Sequence, residues 1–148
     1  MMVKSRFDAI ITHREWIEDG LKRELADIKL SLEEERKRLA SWNQLGRDSL
    51  KTLQEKQEKG TTISEVLLYY SFLNGLSTEI KKQEVKIERT RVQFDQKLDE
   101  LVEASREKKI VMKIKEKELE RIRLQVLKKE QKFVDEMGIS KYNRERVR

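Results

Sequence analysis

The chain has no proline and no cysteine, one histidine, five glycines among 148 residues, and only 6% aromatic side chains. Without proline, nothing removes a backbone donor from a helix interior. Without cysteine, disulfides and thiolate metal ligation are both excluded, which fits a reducing compartment. No stretch approaches the ~18 apolar residues of a membrane span, and the opening Met-Met-Val-Lys-Ser-Arg-Phe lacks the apolar run of a secretory leader. The expectation is a protein neither secreted nor inserted in a membrane. His13 stands alone with no second soft ligand, so it reads as a helix-surface residue. Scattered glycines make no phosphate-cradling loop. Neighbouring acids such as Glu33, Glu34 and Glu35 point in different directions on a helix and cannot converge on one substrate atom. The chain is therefore expected to be no enzyme, and to hold neither metal nor cofactor.

What is present is charge and helix propensity. Charged residues make up 42% and hydrophobic ones 36%, which leaves little material for a globular core. Glu, Lys, Arg, Leu and Gln dominate, all good helix formers. Two ladders of apolar residues follow steps of three and four. The first reads Phe7, Ile10, Arg14, Ile17, Leu21, Leu25, Ile28, Leu32, Glu35, Leu39, Trp42, Gly46, Ser49 and Leu53, with a stutter between Leu21 and Leu25. The second reads Ile80, Glu84, Ile87, Arg91, Phe94, Leu98, Leu101, Ser105, Lys108, Met112, Lys115, Leu119, Ile122, Val126, Lys129 and Phe133.

One break separates them. Lys59-Gly60-Thr61-Thr62 offers a glycine able to close a helix and, in Thr62 with Glu65, the spacing of a capping box. The pattern predicts a first helix over about 4–58, a turn over 59–62, a second helix over 63–137 ending at Gly138, and a basic tail over 138–148. Apolar spacing runs from Leu73 through Asn74-Gly75 to Ile80, so that pair belongs inside the second helix, and Gly20 and Gly46 read as tolerated interior glycines. The fold class is all-α: one long antiparallel two-helix coiled-coil hairpin. At 1.5 Å per residue the arms would be roughly 80 and 110 Å long, with the second running about 30 Å past the start of the first.

Three features carry information about partners. Residues 121–148 hold nine basic and four acidic side chains, whereas 1–60 and 61–120 are nearly balanced. Such an end suits an acidic protein surface, anionic lipid or nucleic acid, but Glu130, Asp135, Glu136 and Glu145 break any continuous basic stripe and argue against nucleic acid. The segment Leu67, Leu68, Tyr69, Tyr70, Phe72, Leu73 and Leu76 is greasier than one helix stripe can bury, so part of it is expected to face a partner, with Phe72, Leu76, Glu79 and Gln83 on one helix face. The polar inward rungs Glu84, Arg91, Ser105, Lys108, Lys115 and Lys129 read either as snorkelling residues that fix register or as weak points of a rod that must flex.

The order Gly60, Tyr70-x-Phe72-Leu73, Ile80, Ser105-Arg106-Glu107-Lys108-Lys109 and Glu130-Gln131-Lys132-x-x-Asp135-Glu136 resembles the FliJ family, the coiled-coil component of the bacterial flagellar type III export apparatus. Virulence secretion systems contain related stalk proteins. The resemblance implies a hairpin similar to the coiled coil of the rotary ATPase γ subunit. It also implies a cytoplasmic location at the inner-membrane base of the flagellum, a hexameric export ATPase and an export gate as partners, and a role with export chaperones. On this basis the gate contact falls at Phe72, Leu76, Glu79 and Gln83. The ATPase contact falls at Arg14, Lys22, Arg23, Lys128, Lys129, Gln131, Asp135 and Glu136, of which Gln131, Asp135 and Glu136 stand at matched motif positions. From the residues alone, a holdase or nucleic-acid-binding coiled coil and a parallel homodimer through the second ladder stay open.

Overall fold

The computed structural model describes residues 4–147. Among them two helices, α1 (Lys4–Lys59) and α2 (Ile63–Val147), account for nearly everything, with no strand. The chain forms two compact units, Asp19–Val102 and a second built from residues up to Glu18 together with those from Glu103.

The first unit contains the turn. Gly60 has φ 98°, a left-handed conformation that a Cβ would strain, and it is the one described residue with positive φ. Thr62 then caps α2: its hydroxyl accepts from the Glu65 N–H at 3.2 Å and its carbonyl accepts from the Val66 N–H. The Glu65 carboxylate does not complete the reciprocal box. It accepts instead from the Thr61 hydroxyl and from Lys56 Nζ at 2.6 Å, tying the last turn of α1 to the first turn of α2. Below this clamp the helices run antiparallel: Glu35 meets Gln83 and Thr90, and Glu24 meets Lys97. Leu53, 1% exposed, is the most completely buried large side chain, and Leu32 and Leu76 are also buried. Gly46 faces Leu76 across the seam: an added Cβ would lie 3.4 Å from Leu76 Cδ2, an ordinary van der Waals contact, so this is a tolerated interior glycine as expected.

The inward phase of α2 differs from the expected ladder at every second rung. Ile80, Ile87, Phe94 and Leu101 face inward as expected, but the rungs between are Gln83, Thr90, Lys97 and Ala104, while Glu84, Arg91 and Leu98 are exposed. Hydrophobicity alone misled here, because Leu98 is more apolar than Lys97; what decides is the step of three after each Ile or Phe, which sets Gln83 and Thr90 opposite Glu35. Arg91 instead pairs on the surface with Glu88 and Asp95.

In the second unit, residues 4–18 lie antiparallel to residues from 103 onward. The expected stutter dissolves: Glu18 is buried, and Arg14, Glu18, Leu21 and Leu25 keep alternating steps of four and three. Ser105 Oγ donates to Glu18 at 2.9 Å and Lys108 Nζ at 3.1 Å, Arg14 pairs with Glu107, and Lys115 pairs with Asp8. Thus Ser105, Lys108 and Lys115 do point inward, each to a polar partner on α1, whereas Lys129 is exposed.

α2 does not stop at Gly138. It continues to Val147, and Gly138 sits in ordinary helical backbone with open space around its α-carbon. An interior glycine costs only about 1 kcal/mol relative to alanine, and no proline follows to end the helix. From Arg123 to Val147 every residue is exposed.

Candidate interaction surfaces

The turn surface is built by sorting the greasy segment between two sides of α2. Tyr69, Leu73 and Leu76 turn into the seam, and the Tyr69 ring lies under Lys56 Nζ at 5.4 Å. Ile63, Leu67, Leu68, Tyr70 and Phe72 stay exposed. Phe72, Leu76, Glu79 and Gln83 therefore do not share an exposed face. Leu76 is 8% exposed and Gln83 4%, the latter donating from Nε2 to the Glu35 carbonyl oxygen at 3.0 Å. Spacing of i, i+4, i+7 and i+11 put the four on one side of α2, but that side straddles the edge of the seam, so Phe72 and Glu79 look outward while Leu76 and Gln83 look in. The accessible stripe runs instead through Leu68, Phe72, Gly75 and Glu79.

Lys56 and Glu65 are the electrostatic feature of this surface. The Lys56 ammonium holds the Glu65 carboxyl below its ordinary pKa, helped by the Thr61 hydroxyl, and Glu65 in turn raises Lys56. The pair is solvent-accessible, so it contributes as a geometric clamp more than as a source of energy.

The terminal surface belongs to the second unit. Lys128, Lys129, Gln131, Asp135 and Glu136 are all exposed on α2, with Gln131 Nε2 donating to Asp135 Oδ1 at 3.0 Å. Arg14 is paired with Glu107, and its side chain is about one-third exposed. Lys22 and Arg23 are exposed but lie in the turn-containing unit, so they do not extend this surface within the unit that carries Lys128 to Glu136. Sequence spacing overlooked the apolar residues Leu127, Val134 and Met137, which lie beside the ladder positions Val126 and Phe133 and are just as exposed. On α1, His13 stacks on the exposed Trp16 with ring centroids 6.1 Å apart.

Neither surface contains a catalytic constellation. Among the described residues no group of three His, Asp or Glu side chains could hold a metal ion, and no helix is long and apolar enough to cross a membrane. The concave features are open grooves, one of them lined by Ile11, Met112 and Leu119 with Asp8, Glu15 and Lys115 at its edges. What both surfaces offer is side-chain area for another macromolecule.

No curated protein and no solved structure matches the chain. The family model described as flagellar FliJ protein does match, over residues 3–147, nearly the whole length. The chain belongs to the flagellar FliJ family.

Proposed function

We propose that this component of the flagellar export apparatus is a non-enzymatic stalk that binds the hexameric export ATPase through its terminal surface and the export gate through its turn surface. In doing so it promotes assembly and activity of the ATPase ring and takes part in handling export chaperones at the cytoplasmic side of the inner membrane. The observation that carries this reading is the continuous helix of residues 123–147, which packs on no other described residue of its own unit and carries half of the chain's net positive charge, seven basic against four acidic side chains. An unpaired helix with exposed Leu, Val, Phe and Met is a segment waiting for a partner. At the turn, Leu68, Phe72 and Glu79 supply the accessible part of the gate contact, while Leu76 and Gln83 support it from within the seam.

The test is direct. Added to the purified cognate ATPase, the chain should raise its hydrolysis rate while showing none of its own. Hydrolysis by the isolated chain, or an ATPase rate unaffected by its addition, would overturn the proposal.

A further inference from the structure

The two units close by different chemistry. In the turn-containing unit the inward rungs, at alternating steps of three and four, run from Leu21 to Leu53 on α1 and from Tyr69 to Leu101 on α2, and only Glu35 and Lys97 among them are charged. In the other unit the same steps pass through Arg14 and Glu18 on α1 and through Lys108, Lys115 and Glu118 on α2, five charged rungs out of ten. Ala104 is the one fully buried apolar side chain among the described residues of this unit.

What crosses the seam here is ionic. Glu18 accepts from Ser105 Oγ at 2.9 Å and from Lys108 Nζ at 3.1 Å, Arg14 pairs with Glu107, and Asp8 pairs with Lys115. The Glu18–Lys108 pair is largely shielded from water, whereas the other two pairs are about one-third exposed or more. Exposed pairs contribute little and are screened, because the Debye length falls from about 10 Å at 0.1 M salt to about 3 Å at 1 M. A shielded pair holds only while both partners stay, since either one left alone is a desolvated charge. The α1 segment that these pairs fasten, residues 4–18, is shorter than two heptads and a turn, a length at which a helix is marginal unless something packs on it.

We infer that residues 4–18 are an electrostatic latch: a segment that closes on α2 through charge pairs and comes away when those charges are screened or paired elsewhere, while the turn-containing unit stays zipped. A partner that offers carboxylates to Lys108 and Lys115, or cations to Asp8 and Glu18, exchanges one ion pair for another. Opening by that route exposes less apolar surface than parting the seam around Leu32, Leu53 and Leu76. The latch is a property of the chain alone and holds whatever partner it serves.

The absence of cysteine allows the full chain to be spin-labelled at two chosen sites. Ala9→Cys with Lys113→Cys reports on the latch, and Ala40→Cys with Lys81→Cys reports on the turn-containing unit; all four positions are exposed. At 0.1 M sodium chloride the Ala9–Lys113 distances should form one narrow population, with an opened fraction below about 10%. At 1 M that fraction should rise at least about threefold, while the Ala40–Lys81 distances stay as they were. Charge identity is tested by reversal. Lys108→Glu, which sets like charges face to face, should open the latch at 0.1 M, and adding Glu18→Lys should close it again, the Ser105 hydroxyl being able to accept as well as donate. An unchanged Ala9–Lys113 distribution at 1 M salt would overturn the latch, as would an opened majority already at 0.1 M. Parallel opening of the Ala40–Lys81 pair would show one cooperative hairpin and overturn it too. Failure of the double reversal to restore closure, with the Ala40–Lys81 distances intact, would show that Glu18 and Lys108 do not hold the segment through their charges.

Discussion

Single residues at the turn show how local chemistry decides where the chain reverses. Gly60 carries the left-handed φ, and Gly60→Ala should destabilise the protein by about 1 kcal/mol, read as a lowered denaturation midpoint. Gly75 is the contrasting case: it is helical, exposed and has open space around it, so Gly75→Ala should stabilise by about the same amount. Opposite signs for the same chemical change would separate a conformational glycine from an incidental one. Glu65 makes a pH-dependent prediction. Its folded pKa is held low by Lys56 and Thr61, so its contribution is present above the ordinary glutamate pKa of about 4.3 and is lost as pH falls through the folded value. Lys56 is raised, so its share persists to alkaline pH and disappears only as pH climbs through its folded pKa. The melting-temperature difference between wild type and Glu65→Gln should therefore be flat between about pH 5 and 10 and collapse below about pH 4. A difference that grows towards acid would contradict the clamp.

At the scale of the helices, polar rungs are the unusual feature. Glu35 accepts from Thr90, but its Oε2 is buried without a partner, and Thr90 also donates within its own helix to the Lys86 carbonyl oxygen. A half-satisfied carboxylate of this kind costs more than a well-packed apolar pair. Glu35→Leu combined with Thr90→Val should raise stability by about 1–3 kcal/mol, measured by urea denaturation; a fall would show that the layer is a net contributor. The layer also explains how far the sequence could be read. The helices, the turn at Gly60, the capping Thr62 and the inward Ile80, Ile87, Phe94 and Leu101 all follow from periodicity and turn chemistry. The rungs at Gln83 and Thr90 do not, because their inward position follows from partners on the other helix rather than from their own hydrophobicity. The same blindness put Leu76 and Gln83 on an outward surface. Gly138 misled for another reason: glycine permits a helix end but does not impose one.

Across the whole chain, burial is unevenly shared. In the turn-containing unit the buried side chains include Leu32, Leu53 and Leu76, whereas among the described residues of the other unit they are Glu18 and Ala104, and its last 25 described residues bury nothing. Free energy for opening follows local burial, so amide exchange should be graded. Protection is expected to be greatest around Leu32, Leu53 and Leu76, intermediate over about 104–122, and least over 126–147, where a single helix has only its own hydrogen bonds and propensity to sustain it. Truncation after Ile122 should accordingly leave the melting temperature within about 3 °C of wild type, since the removed segment contributes no interhelical packing to the cooperative unit. If the terminal surface is the ATPase contact, binding would invert the order at one end: with the ATPase present, exchange over 126–137 should slow by the largest factor in the chain, because that exposed helix has the most protection to gain. If exchange slowed there no more than in the turn-containing unit, the terminal helix would not be the segment that docks.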